Sequence, residues 1–277
     1  MKNLKGRVAL VTGASRGLGP HIARALADEG MNLVLAARSA DKLEAVAEEI
    51  RAMGQRVLCI PTDLGDPQSL AALVERAEAE TAGVDLLVNN AGVEHMMPFD
   101  QVPVSTLDQV IDVNLRAPMV LSRLLLPKML ARGRGHIVNV ASAAGYGGIP
   151  YQESYCATKA GLIGLTRAFR GTSAYDGNPV GCSVVSPGFV AEAGMYDDMV
   201  NSHGVKAPSA LGTTRPANVA AAVIRATKRD LPEIIVNPMP VRPLAILALI
   251  APRFATWLLI RLGVMRVFGP VAEGRVG

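Results

Sequence analysis

Short, uninterrupted apolar segments alternate with amphipathic segments of helical length along the first 190 residues of this chain. Residues 7–12, 32–37 and 85–89 are typical of the apolar segments, which are rich in Val, Leu and Ala. Strands that are buried on both faces of a sheet have this continuous apolar character, and parallel strands need a long crossover, usually a helix, between them. The pattern therefore predicts a parallel sheet that is covered by helices on both faces.

The whole alternation predicts an α/β fold, a doubly wound parallel sheet of Rossmann type, in one domain. Half of the residues are hydrophobic and 19% are charged, which suits a sizeable core, and no linker-like segment divides the chain. In such a sheet the ligand binds at the carboxyl ends of the strands. The predicted strands are residues 7–12, 32–37, 56–60, 85–89, 136–140, 181–185 and 233–236, and the predicted helices are 17–29, 41–53, 67–82, 106–131 and 155–170.

Composition and charge argue against several classes of function. The formal net charge of +4 is not gathered into a run of Lys and Arg, so we expect no nucleic-acid partner. Cys59, Cys156 and Cys182 form no CxxC pair, and the four histidines lack metal-ligand spacing, so we expect free thiols and no metal. The first residues lack a signal-peptide pattern, which predicts a cytoplasmic protein.

A glycine-rich turn follows the first predicted strand. Gly13, Gly17 and Gly19 are spaced G-x-x-x-G-x-G where the strand would pass into a helix. Glycine lets the backbone turn tightly and approach a pyrophosphate, and a helix N-terminus offers free N–H groups to the anion. We therefore assign this turn, with Ser15 and Leu18, to nucleotide binding; an ordinary glycine-rich turn is the alternative.

The end of the second predicted strand indicates which nucleotide is bound. Residues 36–39 read Ala-Ala-Arg-Ser, with no acidic residue where NAD-binding proteins place one for the ribose 2′-hydroxyl. An arginine binds a 2′-phosphate in a bidentate manner, and Arg38 stands at this position, with Arg16 of the glycine-rich turn facing it. We therefore predict NADP(H) as the cofactor. The alternative is that both arginines are solvated surface charges.

Two residues with proton-transfer chemistry lie four positions apart in a predicted helix. Tyr155 and Lys159 share one helix face, and Asn114 and Ser142 precede them in the chain. With the glycine-rich turn, this arrangement resembles the single-domain branch of the short-chain dehydrogenase/reductase superfamily over roughly residues 5–190. Residues 12–19 are similar to its TGxxxGxG turn, residues 89–92 to its NNAG segment and residues 155–159 to its YxxxK motif.

The resemblance implies a role for each of these residues. Tyr155 would be the general acid/base, and Lys159 would lower the pKa of the phenol and hold the nicotinamide ribose. Ser142 would donate a hydrogen bond to the substrate oxygen, and Asn114 would hold a water. Taken singly, each has an ordinary structural alternative, such as a half-buried tyrosine or a solvated lysine. Further nucleotide contacts are implied at Asp63, Leu64, Asn90, Ala91, Gly92, Pro187, Gly188 and Val190.

The chain departs from the family pattern after its Pro-Gly turn. Glu192 stands where a threonine would hold the nicotinamide carboxamide, so that contact is not carried over. The following segment, about residues 192–216, is polar and irregular and matches the substrate lid of the family. Candidate pocket residues in the lid and in nearby loops, for which ordinary packing is the alternative, are Met195, Tyr196, Met199, Val93, Glu94, His95, Tyr146 and Tyr151.

The C-terminal segment 243–268 is strongly apolar but contains Pro252, Arg253, Arg261 and Arg266. Its longest uninterrupted apolar part, residues 244–251, is far shorter than the roughly 20 residues that span a bilayer. Three interpretations stay open: helices of the core or an oligomer interface, a cover over the substrate pocket, and a peripheral membrane helix in which Trp257 and arginines meet the lipid. The last two predict a lipophilic substrate.

These observations predict an NADP(H)-dependent oxidoreductase that interconverts a ketone or aldehyde and an alcohol; β-ketoacyl thioesters are one candidate substrate class. We assign residues 1–240 to the catalytic domain and residues 241–277 to an apolar helical extension. The resemblance implies a homodimer or homotetramer with helices 106–131 and 155–170 at the interface. The alternatives are a non-catalytic NADP(H) sensor, a membrane-associated binding protein, and hydro-lyase or epimerase chemistry on the same scaffold.

Overall fold

Seven parallel strands form one sheet in the order β3-β2-β1-β4-β5-β6-β7. The computed structural model describes residues 1–209 and 211–272, apart from the side chains of Met265, Arg266 and Pro270. The predicted doubly wound sheet is confirmed, and each predicted strand is present to within two residues at either end. The strands are β1 (Val8–Thr12), β2 (Asn32–Ala37), β3 (Val57–Pro61), β4 (Leu86–Asn89), β5 (Gly135–Val140), β6 (Val180–Pro187) and β7 (Glu233–Val236).

Helices cover both faces of the sheet, because successive strand residues point to opposite sides. On β1, Ala9 and Val11 face the core cluster that contains α1, α2 and α8, whereas Val8 and Leu10 face the cluster that contains α3 and α5. The helices are α1 (Leu18–Asp28), α2 (Ala40–Ala52), α3 (Pro67–Ala79), α4 (Val104–Ile111), α5 (Ala117–Ala131), α6 (Glu153–Tyr175), α7 (Met195–His203), α8 (Pro216–Arg229), α9 (Arg242–Ile250), α10 (Pro252–Arg261) and α11 (Met265–Ala272).

The strand order reverses beside β1, which pairs with β2 on one side and β4 on the other. The helices that follow β1 and β4 pack on opposite faces of the sheet, which leaves a crevice at its carboxyl edge. This crevice is where ligands bind in doubly wound sheets.

A π-helical turn, Asp112–Arg116, interrupts the long helix that the sequence predicts over residues 106–131. The backbone N–H of Ala117 donates to the carbonyl of Asp112, and Pro118 follows with no N–H to give to the carbonyl of Asn114. The helix therefore widens at this turn. Pro127, the second proline of the predicted helix, lies inside α5 without ending it. The turn carries Asn114 into the buried side of the helix, where its side chain is fully buried.

The lid segment differs from the sequence expectation, whereas the C-terminal extension agrees with it. The segment 192–216, expected to be irregular, contains α7, and α8 begins at its end. The C-terminal extension is helical as predicted and forms α9, α10 and α11; residues 273–277 of it lie outside the described residues. Within residues 1–209 and 211–272, no helix is both long enough and apolar enough to cross a bilayer.

Candidate active site

A cavity of about 1050 Å³ lies at the carboxyl edge of the sheet. Loops after β1 to β6 form one wall, and the C-terminal helices form the wall opposite. Of the residues assigned from sequence to catalysis or nucleotide binding, all but Gly19 and Asn114 line it. Those lining the cavity are Gly13, Ser15, Arg16, Gly17, Leu18, Arg38, Asp63, Leu64, Asn90, Ala91, Gly92, Ser142, Tyr155, Lys159, Pro187, Gly188 and Val190.

The glycine-rich turn has a shape that only glycine permits. Gly13 has φ of +65°, and a Cβ there would lie 2.8 Å from the Cα of Ala91. A Cβ on Gly19 would overlap the carbonyl oxygen of Gly13, so α1 can begin close against β1 only with glycine here. No side chain caps the N-terminus of α1, where an anion can accept from backbone N–H groups. This turn therefore fits a dinucleotide pyrophosphate.

The loops after β1 and β4 are tied together by hydrogen bonds. The Nδ2 of Asn90 donates to the carbonyl oxygens of Thr12 and Gly13, at 3.0 and 3.3 Å. The hydroxyl of Thr12 accepts from the backbone N–H groups of Asn90 and Ala91, at 3.1 and 3.2 Å. Asn90 thus holds the crevice in shape as well as lining it.

Two arginines line the cavity. Arg38 lines it directly after β2 and makes no ion pair within the described part of the chain. Arg16 lines it from the glycine-rich turn, and its Nη1 lies 3.2 Å from Oδ2 of Asp198 in α7. Because both Arg16 and Asp198 are well exposed, this ion pair is weak and leaves the guanidinium free to bind a phosphate.

Tyr155 and Lys159 lie one turn apart on α6 and are both buried. The Nζ of Lys159 donates to the carbonyl of Val140 at 3.0 Å and lies 5.5 Å from the centre of the Tyr155 ring. Ser142, just beyond β5, accepts through its hydroxyl from the backbone N–H of Ala144 at 3.1 Å and lies close enough to Tyr155 to lower the pKa of its phenol. Three polar groups therefore converge on the cavity.

Burial controls the proton affinities of this group. It raises the pKa of the Tyr155 phenol, the charge of Glu94 raises it further, and the hydrogen bond from Ser142 opposes both. Burial also lowers the pKa of Lys159 to about 8, an effect that Glu94 partly offsets. The expectation of a lowered tyrosine pKa thus differs from the structure, where removal from water is the largest influence and raises the pKa of Tyr155.

Asn114 is fully buried and does not line the cavity, but it holds two elements that do. Its Oδ1 accepts from the backbone N–H of Val93 at 2.8 Å, and its Nδ2 donates to the carbonyl of Val93 at 2.8 Å and to the hydroxyl of Thr158 at 3.3 Å. The side chain therefore joins the loop after β4 to the helix that carries Tyr155 and Lys159. Its hydrogen-bonding groups are satisfied by protein partners.

Glu94 faces the same cavity from the loop after β4. Its carboxylate accepts from Nε2 of Gln152 at 2.9 Å, and burial raises its pKa to about 7. Gln152 was not singled out from the sequence; it stands directly before α6, three residues before Tyr155. Glu94 and Gln152 give the cavity a polar patch next to the tyrosine.

The other candidate pocket residues are only partly brought together. Val93, Tyr146, Met195, Tyr196 and Met199 line the cavity, whereas His95 and Tyr151 do not. His95 is exposed on the loop after β4, because that loop turns its side chain outward.

Glu192, at the departure from the family pattern, also lies outside the lining. Its φ is +71°, and its carboxylate lies 3.6 Å from Nε of Arg215 at the surface. The backbone therefore turns the Glu192 side chain away from the cavity, and it does not replace the expected threonine.

The C-terminal helices close the cavity from above. Phe268 of α11 is buried and stacks on Phe189 with ring centres 6.0 Å apart, and Phe189 meets Tyr196 edge to face at 5.0 Å. The lining contributed by this segment is apolar, consisting of Val241, Leu244, Ala245, Ala248, Leu259, Val264 and Phe268. The inner side of the extension thus covers the cavity. This agrees with one of the three interpretations of segment 243–268, that of a cover over the substrate pocket.

Comparisons with known proteins agree with this geometry. A family model described as short chain dehydrogenase matches residues 7–202. Ketoacyl reductase HetN of Nostoc sp. is 42% identical over 241 residues, which cover 87% of this chain and 82% of HetN. The 3-oxoacyl-[acyl-carrier-protein] reductase FabG of Staphylococcus aureus is 39% identical over 183 residues, covering 66% of this chain and 74% of FabG.

Solved structures have the same fold. A metagenomic short-chain oxidoreductase in complex with NADP aligns with a TM-score of 0.72 at 33% identity and covers 86% of this chain and 99% of its own. A short-chain dehydrogenase/reductase from Mycobacterium marinum aligns with a TM-score of 0.75 at 27% identity, covering 84% and 95%. The seven-stranded sheet, the glycine-rich turn and these similarities together show that this chain belongs to the short-chain dehydrogenase/reductase family.

Proposed function

We propose that this family member is an NADP(H)-dependent oxidoreductase that interconverts a ketone or aldehyde and an alcohol, with an apolar substrate. The observation that carries the proposal is the convergence of Ser142, Tyr155 and Lys159 on a cavity that begins at a pyrophosphate-shaped turn. A protein that only binds a nucleotide has no need of a buried tyrosine and lysine facing the ligand space.

The roles of the side chains follow from their positions. Bound NADPH would supply a hydride to the substrate carbon. Tyr155 would give its phenolic proton to the substrate oxygen, and the raised pKa of Tyr155 keeps that proton in place at neutral pH. Ser142 would donate a hydrogen bond where negative charge develops on the oxygen. Lys159, held by the carbonyl of Val140, would hold the nicotinamide ribose and return a proton to Tyr155.

NADP(H) rather than NAD(H) is supported by charge. Arg38 and Arg16 border the cavity beside β2, and neither residue 36 nor residue 37 is acidic. A guanidinium pairs well with a phosphate, whereas a carboxylate here would repel it. The structure neighbour that was solved with NADP supports the same choice.

The C-terminal segment gives the cavity an apolar wall, whereas Glu94 and Gln152 form a polar patch in its lining. Apolar side chains of α9, α10 and α11 suit an acyl chain or a similar lipophilic carbonyl compound. HetN and FabG are named as ketoacyl reductases, which favours a β-ketoacyl thioester. Such a substrate would place its acyl chain under the cover and its oxygen at Tyr155.

We also infer the organisation of the chain around this site. We assign residues 1–240 to the catalytic domain with its lid and residues 241–277 to the extension, whose apolar residues between Val241 and Phe268 line the cavity. A homodimer or homotetramer is supported by exposed apolar side chains on two neighbouring helices. These are Val104 and Ile111 at the two ends of α4 and Met119 in α5. A cytoplasmic location remains our expectation.

The test is oxidation of NADPH over a panel of ketones that runs from small diketones through β-ketoacyl thioesters to steroids and long-chain ketones. We expect turnover to be highest with the apolar members. Tyr155→Phe should lower kcat by about 10²–10⁴-fold and leave NADPH binding intact, because it removes only the proton donor.

Tyr175→Phe is the matched control, since this exposed tyrosine lies at the far end of the same helix. No turnover on any carbonyl compound, together with measurable NADPH binding, would favour the sensor instead. Turnover that survives Tyr155→Phe would contradict the role of the tyrosine.

A further inference from the structure

The outer side of the C-terminal helices is apolar and open to solvent. On α9, Ile246, Leu249 and Ile250 recur at helical spacing, and Leu249 and Ile250 are 84% and 78% exposed. On α10, Phe254, Trp257 and Ile260 are each about half exposed. We call these six side chains the α9–α10 face. Monomeric proteins rarely leave so large an apolar surface open, and such surfaces mark contact sites.

All the net positive charge of the protein lies on the segment that carries this face. Residues 234–272 contain Arg242, Arg253, Arg261 and Arg266 and no Asp or Glu, so the remaining residues hold 24 basic and 24 acidic side chains. Arg253 and Arg261 are exposed on α10. The guanidinium of Arg261 lies 5.5 Å from the centre of the Trp257 ring. Arginine and tryptophan beside exposed aliphatic side chains fit an anionic lipid surface.

The geometry of the two helices excludes a span and favours a position in the plane of a membrane surface. They contain nine and ten residues and are joined through Ala251. Each is therefore about 15 Å long, half the thickness of a bilayer core. Their opposite side lines the cavity through Leu244, Ala248 and Leu259. One side of the helix pair thus faces the ligand space while the other faces outward.

We propose that the α9–α10 face docks this protein on an anionic lipid surface, with α9 and α10 lying in the plane of the headgroups. A second copy of the chain fits this face less well. Two such faces would bring Arg253 and Arg261 of both copies together with no acidic residue on either segment. The proposal concerns binding alone, so it stands or fails independently of the reaction.

Trp257 is the only tryptophan of the chain and reports directly on this face. We expect vesicles of phosphatidylglycerol and phosphatidylcholine to shift its fluorescence emission to shorter wavelength and brominated acyl chains to quench it. Vesicles of phosphatidylcholine alone should have little effect, and high salt should weaken binding to the anionic vesicles.

The double variant Leu249→Glu, Ile250→Glu should lower the vesicle-bound fraction at least about tenfold, because it removes two exposed aliphatic groups that would enter the lipid and adds two negative charges. The matched control is Met53→Glu, Tyr175→Glu, which adds the same charges at exposed positions at the C-terminal ends of α2 and α6. Both should keep the circular dichroism and NADPH binding of the parent protein.

Three results would overturn the proposal. One is unchanged Trp257 emission with all vesicles, and another is equal binding to neutral and anionic vesicles. The third is an emission shift that follows protein concentration without lipid, with a matching rise in mass by sedimentation. That result would assign the face to a second copy of the chain.

Discussion

The carboxyl group of Glu94 changes the proton affinity of two neighbouring side chains. Its negative charge raises the pKa of both Tyr155 and Lys159, while burial and Gln152 act on its own pKa. Glutamate at this position therefore helps to keep the tyrosine protonated and the lysine charged. Both states suit a site that delivers a proton to a substrate oxygen.

Replacing Glu94 should change the pH dependence of alcohol oxidation, which needs Tyr155 as a phenolate. Glu94→Gln removes a like charge from beside the phenolate, so the pKa of Tyr155 falls and the rising limb of kcat/KM moves to lower pH. The pH profile of kcat/KM measures this directly. Glu48→Gln, at an exposed position on α2, is the control, and an unmoved limb in Glu94→Gln would show that Glu94 does not act on the tyrosine.

The cofactor choice rests on Arg38. Arg38→Asp replaces a guanidinium with a carboxylate that repels the 2′-phosphate, and hydrogen bonds to charged groups contribute about 1.5–3 kcal/mol. We expect the ratio of kcat/KM for NADPH over NADH to fall at least about tenfold. Arg56→Asp makes the same charge change before β3, at the opposite edge of the sheet, and should leave the ratio unchanged. An NADPH/NADH ratio of kcat/KM that is the same in both variants would show that Arg38 does not bind the 2′-phosphate.

At the scale of elements, the start of α1 is the most tightly built part of the site. Gly19→Ala would press a methyl group against the carbonyl of Gly13 and the Cα of Ala14, and such overpacking costs about 1–3 kcal/mol. We expect a lower free energy of unfolding and weaker NADPH binding, measured by urea denaturation and by titration.

Gly164→Ala is the control for that change. Gly164 lies inside α6 with open space around its Cα, so alanine should stabilise the helix by up to about 1 kcal/mol. Unchanged NADPH binding in Gly19→Ala would contradict the close approach of α1 to β1.

Some elements could be predicted from the sequence and others could not. The strands and α1 follow from apolar runs and glycines, which act locally. The π-helical turn Asp112–Arg116 has the same apolar periodicity as an α-helix, and the widening depends on the missing donor of Pro118 and on the partners of Asn114 in other elements. The helix α7 is polar and short, so its sequence resembles a loop.

At the scale of the whole molecule, the site is made of residues that are up to 255 positions apart, from Gly13 to Phe268. Most motif residues could be assigned to it from sequence because they stand in loops directly after strands, and parallel strands end at one edge. Tyr155 and Lys159 could be assigned from their four-residue spacing in one helix. The cover could not be assigned, since its three interpretations differ only in tertiary packing. His95 failed as a pocket residue for the same reason, because only the path of its loop decides where it points.

A ligand that binds across such a site should stabilise the whole fold. At a concentration 100 times its Kd, a ligand that binds only the native state adds about 2.7 kcal/mol, which for a chain of this size raises Tm by roughly 5 °C. We expect this rise with NADPH in a thermal melt and a smaller one with NADH at equal concentration. Equal rises would contradict the predicted preference, and none would contradict nucleotide binding.

The stacking of Phe268 on Phe189 means that the cavity can be covered only after the sheet has formed during synthesis. The sheet is complete once β7 has left the ribosome, while α9, α10 and α11 are still to follow. Because folding proceeds from the N-terminus during translation, the nascent protein passes through a stage with a finished sheet and an uncovered apolar wall. At that stage Phe189 lacks its ring partner Phe268, and the apolar wall of the cavity is completed only when α11 has folded onto it.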